Sequence, residues 1–140
     1  MAAVARYVWD ESDWPILRVD APPQPADDRS FQELLDWYGS VLLRGQPFVL
    51  TFELGLGAPL TVERRDQLRR HTSEHAPLIA KHQSGLAIVA KSAYQRAMAR
   101  ALFWIVKPPC PTEVFENWDA ARAWATERVR GAEPASAVAR

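Results

Sequence analysis

The fold is decided by residues 85–111, GLAIVAKSAYQRAMARALFWIVKPPCP. This stretch opens with a short apolar run, Leu86–Ala90, which is too brief for a helix and has the β-branched residues of a buried strand. Ser92 then occupies the N-cap position of an amphipathic helix that runs to Val106 and stops before two prolines. A fully apolar strand that leads directly into a helix is typical of a sheet covered on both faces.

The helix predicted after Ser92 has an inward and an outward face. Helical spacing predicts the members of the buried face: Tyr94, Met98, Ala101, Leu102 and Ile105. The outward face carries Arg96, Arg100, Phe103 and Lys107. An exposed aromatic ring among arginines is common at the centre of a protein interface, although Phe103 could equally pack beneath a neighbouring helix. Both positions for Phe103 stay open at this point.

Three tryptophans, Trp104, Trp118 and Trp124, are spaced for packing between the last two predicted helices. We therefore predict that all three belong to the core.

Length and composition bound the fold class and the possible functions. We expect residues 1–130 to form a single domain and residues 131–140 to form a flexible tail. A hydrophobic fraction of 48% excludes wholesale disorder, and a net charge of zero gives no general case for nucleic-acid binding. The single cysteine, Cys110, rules out an internal disulfide and suits a reducing compartment. With neither a secretory signal nor a membrane-spanning run, we expect a cytoplasmic protein that does not insert into membranes.

The remaining chain supplies a hairpin and further strand–helix units. Periodicity, caps and prolines predict strands at Arg6–Trp9, Pro15–Val19, Pro47–Leu54 and Thr112–Phe115, and helices after the caps Ser30, Thr61 and Asn117. Pro77 is expected to interrupt the helix that starts after Thr61. The predicted fold is α/β, in the order β-β-α-β-α-β-α-β-α, with a mixed sheet of four or five strands and about four helices.

The tripeptide Gly55-Leu56-Gly57 lies between a strand and a helix, as in dinucleotide-binding loops. However, Leu60 stands where the third glycine belongs, and Pro59 removes a backbone donor from the phosphate cradle. The prediction is an ordinary turn.

Residues 71–75, HTSEH, match the H-x-x-E-H pattern of some zinc peptidases. A catalytic zinc site needs a third ligand and a substrate cleft, and these histidines lie on a helix that arginines are expected to coat. We therefore predict a polar, solvated surface here, with no metal, no cofactor and no catalytic residues.

The order of a hairpin, a helix and three strand–helix units resembles the STAS domain, the SpoIIAA-like fold of anti-sigma-factor antagonists. The resemblance is carried by the strand PFVLTFEL at 47–54, the strand GLAIVAK at 85–91 with its helix, and the closing EVFENWDAARAW at 113–124. These features extend over nearly the whole chain, from about Tyr7 to Val129. The resemblance implies a non-enzymatic domain that docks on partner proteins.

In STAS domains the partner surface centres on the loop after the third strand, where a phosphorylatable Ser or Thr follows an Asp. That loop corresponds here to Gly55–Thr61, which lacks the Asp-Ser signature and has Thr61 as its one hydroxyl. The resemblance therefore implies a constitutive adaptor, or one regulated in another way.

The leading prediction is a bacterial, cytoplasmic signalling adaptor that binds one or more proteins without catalysis. Its predicted contacts lie in the loop and on two helix faces: Gly55, Leu56, Gly57, Thr61, Arg64, Arg65, Arg69, Arg70, Arg96, Arg100 and Phe103. An exposed edge strand or the hairpin could also pair two copies into a homodimer. The alternative is a sensor of a nucleotide or lipid, with an apolar pocket near Trp104 or Trp118. The third possibility is a small metal-dependent hydrolase, which only the HTSEH motif supports.

Overall fold

The computed structural model describes residues 6–22, 26–55 and 61–132 of the chain. Within these ranges the chain forms five strands and five helices. Their bounds, in chain order, are β1 (Val8–Asp10), β2 (Ile16–Asp20), α1 (Asp28–Leu42), β3 (Phe48–Glu53), α2 (Val62–Glu74), α3 (Ala76–His82), β4 (Gln83–Val89), α4 (Ala93–Val106), β5 (Thr112–Phe115) and α5 (Trp118–Ala132). None of these helices combines the length and the apolarity that a membrane crossing needs.

The five strands form one mixed sheet whose spatial order is the chain order, β1-β2-β3-β4-β5. β1 pairs antiparallel with β2, as the predicted hairpin requires, and every other neighbouring pair is parallel. The predicted α/β class and mixed sheet are confirmed. The predicted element order is confirmed, and the interruption expected at Pro77 divides the helix after Thr61 into two, the first ending at Glu74. Pro77 lies in the first turn of α3, where a backbone N–H has no helical partner.

Several predicted boundaries shift by one to three residues. β4 begins at Gln83, three residues before the predicted start, and ends at Val89. α5 reaches Ala132, two residues into the predicted tail. Residues 133–140, the rest of that tail, lie outside the described ranges.

One face of the sheet packs against α5. The small side chains of Ala121 and Ala125 are fully buried and let this helix approach the strands closely. The sheet contributes Ile16, Val49, Ala87 and Val89 to this layer. Trp118 and Trp124 are half-buried and pack at the same interface, against the sheet and not between the last two helices as their spacing predicted.

The opposite face carries α1 and α3. α1 buries an apolar stripe whose members recur at helical spacing: Phe31, Leu34, Leu35, Tyr38, Val41 and Leu42. Ile79 of α3 is fully buried in the same cluster. The sheet side of this layer consists of Leu17, Val19, Phe48 and Leu50, all from β2 and β3. This layer is the larger of the two cores.

α4 departs most from its predicted packing. It contacts α2 and β5, and Ala99 is its one buried side chain. Tyr94 is 68% exposed and Trp104 is 79% exposed, so their predicted positions in the core are wrong. The same correction applies to Met98 and Ile105, which are also exposed. The apolar stripe has the expected helical spacing, but much of it faces a space between α4 and the sheet.

Most helix starts follow the predicted chemistry. Three of the predicted caps accept a hydrogen bond from the backbone N–H three residues later: Ser92, Thr61 and Asn117. The prediction that Ser30 caps α1 is wrong, because Asp27 is the cap: its carboxylate accepts a hydrogen bond from the Ser30 N–H at 2.7 Å. The Ser30 hydroxyl instead accepts from the backbone N–H of Tyr7 at 3.2 Å. Ser30 therefore ties the N-terminal hairpin to α1.

Candidate functional site

A cavity of about 430 Å³ separates α4 from strands β2, β3 and β4. Its floor is the sheet face that also carries α1, and its walls are α1, α2 and α4. The floor is formed by Val19, Leu50, Phe52, Leu86 and Ile88. This volume and this largely apolar lining are typical of sites for small molecules.

Two helices supply the apolar walls. α1 contributes Phe31, Leu34, Leu35 and Tyr38, and α4 contributes Met98, Leu102, Phe103, Ile105 and Val106. On both helices these residues recur at spacings of three and four, which is the pattern that normally forms a core. Removing apolar surface from water is favourable by about 25 cal/mol per Å². The walls therefore favour an apolar occupant.

The third wall is one face of α2, and it is polar at its first turn. It presents Thr61, Arg64, Arg65, Leu68 and Thr72 along a helical stripe. The prediction that arginines coat the outside of this helix holds for Arg69 and Arg70, which are exposed. It is wrong for Arg64 and Arg65, because both are half-buried and line the cavity.

Arg64 is held by contacts with the start of α1. Its guanidinium donates to the Ala26 carbonyl and to the Asp28 carboxylate, at 3.2 Å from the latter. It also lies 5.5 Å from the centre of the Phe31 ring, within range of a cation–π interaction. The Arg64 side chain is only 13% exposed. Arg64 therefore anchors α2 to α1, and its charge is already paired.

Arg65 has no ion-pair partner among the described residues. Its Nε atom is buried and makes no hydrogen bond there. A buried donor on a charged group is costly unless a partner satisfies it. The described protein groups thus leave donor capacity on the guanidinium of Arg65, a residue that lines the cavity.

Tyr7 also lines the cavity, with its ring between those of Phe31 and Phe52 at centroid distances of 6.1 and 5.9 Å. Burial raises the pKa of its phenol, and the nearby charge of Arg64 partly opposes that rise. The Tyr7 hydroxyl is therefore protonated at neutral pH and can act as a hydrogen-bond donor.

Gly55 lies at the edge of the cavity, where β3 ends. Its carbonyl accepts a hydrogen bond from the Gln95 side chain of α4 at 2.8 Å. A Cβ at Gly55 would stand 2.2 Å from the carbonyl oxygen of Pro22, so the two backbones meet closely. The other two predicted loop contacts, Leu56 and Gly57, lie outside the described residues.

The remaining predicted contacts do not share one surface. Arg69 and Arg100 are exposed on different helices. Arg96 was predicted to face outward, but its guanidinium donates to the Ala90 carbonyl at 2.9 Å and lies 4.0 Å from Glu116. The side chain of Arg96 is mostly buried, so that prediction is wrong, and Arg96 fastens α4 to the end of β4.

Phe103, whose position the sequence left open, is half-buried. It lines the cavity on one side and a shallow groove with Trp104 on the other. Five of the predicted contacts therefore meet at the cavity: Gly55, Thr61, Arg64, Arg65 and Phe103.

The histidines of HTSEH stack on each other, with a ring separation of 4.1 Å. They face α1, where Gly39 leaves room for both rings, and His71 also stacks on Tyr38 at 5.3 Å. Burial, reinforced by His75, lowers the pKa of His71. The predicted solvated surface is wrong for this half-buried pair, which packs α2 against α1. Within the described ranges, no group of three His, Cys, Asp or Glu side chains could hold a metal ion.

Two further titratable groups lie in the core. The Tyr38 hydroxyl donates to Oε1 of Gln83, and burial raises its pKa, with the Cys110 charge acting in the same direction. Burial also raises the pKa of the Cys110 thiol to about 12. Both groups are therefore protonated at neutral pH.

Tyr7 and Gln95 are among the lining residues that were not predicted as site residues. The pocket was predicted near Trp104 or Trp118, and the cavity is lined by Phe103 and Ile105, the two neighbours of Trp104 in the chain. Neither Trp104 nor Trp118 lines the cavity. One sequence signal does point to it: α2 has few apolar residues, and Thr72 is its one buried side chain. A helix of this kind gives the apolar stripe of α4 little to pack against.

Neither a protein-family model nor a curated protein matches this chain. Among solved structures, the chain is similar to an uncharacterized protein from the DUF3478 family with a SpoIIAA-like fold, from Shewanella loihica PV-4. The match covers 89% of this chain and 98% of that one, with a TM-score of 0.64 and 16% sequence identity. At this identity the likeness concerns the fold alone. The fold of this chain is SpoIIAA-like, as the sequence resemblance predicted.

Proposed function

We propose that this protein binds an apolar small molecule in the cavity between α4 and the sheet. The observation that carries the proposal is the cavity itself, about 430 Å³ in volume and lined mainly by apolar side chains of α1, α4 and three strands. A bound molecule would remove these side chains from water and give α4 the packing partner that the sheet does not provide.

The test is a titration with N-phenyl-1-naphthylamine, a neutral probe that fluoresces in apolar surroundings. We expect saturable binding with one probe per chain. Leu102→Trp, which adds bulk inside the cavity, should weaken binding by about tenfold, equivalent to about 1.4 kcal/mol. The matched control is Leu43→Trp, because Leu43 is exposed and lies outside the cavity lining. Fluorescence that rises without saturation, or equal losses in the two variants, would contradict the proposal.

A protein-interaction role, as in the signalling adaptor predicted from sequence, is the second candidate function. The outer edge of α4 favours it. Trp104 is largely exposed and borders a groove against β5 together with Arg100 and Phe103. β5 is the last strand of the sheet, so its outer edge is open to pairing within the described part of the chain. We propose a second copy of this chain as the partner, because pairing about a two-fold axis would cover both open edges.

Sedimentation velocity over a range of concentrations tests this second candidate. We expect a dimer that Trp104→Ser dissociates. Leu43→Ser, which changes a similarly exposed apolar residue at the C-terminal end of α1, should leave the dimer intact. A wild-type chain that stays monomeric at every concentration would rule the dimer out.

A further inference from the structure

We infer, resting on the apolar-ligand function proposed above, that the cavity ligand is a single-chain amphiphile with a carboxylate head group, such as a fatty acid. In this arrangement Arg65 binds the carboxylate, and the acyl chain lies between α4 and the sheet.

The charge of the lining supports an anionic head group. Among the described residues of the cavity, the charged side chains are Arg64 and Arg65, and no acidic side chain is present. Glu63, the acid in the first turn of α2, is exposed and outside the lining. The cavity is therefore apolar with a positive charge in one wall, which matches the two parts of an ionised amphiphile.

The two arginines differ in what they can still bind. Arg64 already donates to the Ala26 carbonyl and the Asp28 carboxylate. Arg65 forms no ion pair with the described residues, and its buried Nε has no hydrogen-bond partner there. A guanidinium binds a carboxylate through two parallel hydrogen bonds, and these charge-assisted bonds strengthen when water is excluded. The guanidinium of Arg65, which is unpaired among the described residues, therefore matches the single negative charge of one carboxylate.

The position of Arg65 within the cavity gives the ligand a direction. Arg65 lies in the first turn of α2, where the helix dipole adds to the positive potential. Leu68 follows about one turn later on the same face, and the walls formed by α1 and α4 are mainly apolar. A cavity of about 430 Å³ is in the lower part of the range for small-molecule sites, which favours one acyl chain.

The experiment displaces the neutral probe N-phenyl-1-naphthylamine with dodecanoic acid, 1-dodecanol or dodecylamine at pH 8, below the micellar concentrations of the acid and the amine and below the solubility limit of the alcohol. We expect the full-length wild-type chain to bind the acid about tenfold or more tightly than the alcohol, which is the gain expected from a charge-assisted hydrogen bond. The amine should bind more weakly than the alcohol, because a cation would face Arg65. The order of affinities for the three head groups is measured on the wild-type chain alone.

Arg65→Gln should remove the preference for the acid over the alcohol, measured as the ratio of their affinities in the same variant. Arg65→Lys, which keeps the charge without the planar guanidinium, should retain part of the preference for the acid. The matched control is Arg69→Gln, one turn further along α2, because Arg69 is exposed and outside the lining. Circular dichroism establishes that each variant is folded.

Equal affinities for acid and alcohol in the wild type, or a preference that survives Arg65→Gln, would overturn the assignment of the head group. In both cases saturable binding of the probe would leave the apolar-ligand function standing. If neither the probe nor the alcohol binds saturably, the apolar-ligand function itself fails, and the assignment of its ligand fails with it.

Discussion

The two arginines at the start of α2 are neighbours in sequence, yet they have different surroundings in the fold. Arg64 is paired by Ala26 and Asp28, which precede it by more than thirty residues. Arg65 points about 100° further around the helix and finds no such partner in the described chain. The sequence could indicate a basic helix, but only the placement of α1 decides which arginine is paired. Residue types were therefore predictable here, whereas their pairing was not.

Gly55, at the edge of the cavity, is a position where adding a single methyl group should lower the stability of the fold. We expect Gly55→Ala to lower the free energy of unfolding by about 1–3 kcal/mol, because its Cβ would stand 2.2 Å from the backbone oxygen of Pro22. Urea denaturation measures the change. Gly131→Ala is the matched control, since a Cβ there meets nothing within 4 Å and alanine favours the helix. Equal effects at both positions would contradict the proposed clash.

Cys110 should be a poorly reactive thiol. Burial raises the pKa of Cys110 to about 12, so at pH 8 very little of the thiol is ionised in the folded chain. Because the thiolate is the nucleophile, we expect iodoacetamide to react at least about a hundredfold more slowly with folded than with urea-unfolded protein. Mass spectrometry of timed samples measures both rates. Similar rates in the two states would show that Cys110 is not shielded.

At the scale of elements, local signals predicted where helices begin better than what the helices contact. Ser92 caps α4 as predicted, and the helix ends one residue before a left-handed Lys107 that precedes the prolines. The same pattern predicted that Tyr94 and Ile105 would be buried, and this was wrong. An apolar stripe identifies the face that avoids water, but it does not distinguish a packed core from a ligand cavity. The distinction depends here on α2, because this helix has few apolar side chains against which the stripe of α4 could pack.

The contact between α2 and α1 should weaken in acid through His71. Its pKa is lowered from the usual 6.5 because burial and the neighbouring His75 disfavour the charged form, while the Leu35 carbonyl, Glu74 and Asp36 act in the opposite direction. Between the lowered folded-state pKa and 6.5, the unfolded chain binds more protons than the folded one. Stability is therefore fully present above pH 6.5 and falls as the pH decreases below that value.

Urea denaturation between pH 5 and pH 8 measures this dependence. We expect the free energy of unfolding to rise with pH in the wild type and to rise less steeply in His71→Gln, which cannot gain the proton. His82→Gln changes a histidine outside the stacked pair and should keep the wild-type slope. If His71→Gln retains the full slope, other groups are responsible for it.

At the scale of the whole molecule, the two faces of the sheet are covered unequally. α5 packs directly on one face through small alanines, whereas the other face carries α1 and α3 next to a cavity beneath α4. The sequence predicted the SpoIIAA-like order of elements over nearly the whole chain, because that order depends on local periodicity. It offered an apolar pocket only as an alternative and did not give its lining, because the cavity depends on how the sheet and three helices meet.

Filling the cavity should stabilise the whole domain. A ligand present at 100 times its Kd and bound only by the folded state adds about 2.7 kcal/mol. For a chain of 140 residues we expect N-phenyl-1-naphthylamine at that ratio to raise Tm by roughly 10 °C. Differential scanning calorimetry measures the shift, which should shrink in Leu102→Trp at the same probe concentration. An unchanged Tm in the wild type would contradict specific binding to the folded state.

The chain-order arrangement of the strands also affects biosynthesis. Each parallel strand can join the edge of the preceding one soon after it leaves the ribosome, because its partner has already been made. The face formed by Val49, Ala87 and Val89 has no cover until α5 has been translated. During that interval the nascent chain presents an apolar sheet surface to which chaperones or other unfinished chains can bind. α5, which contributes no described residue to the cavity, therefore determines when the new domain is protected from aggregation.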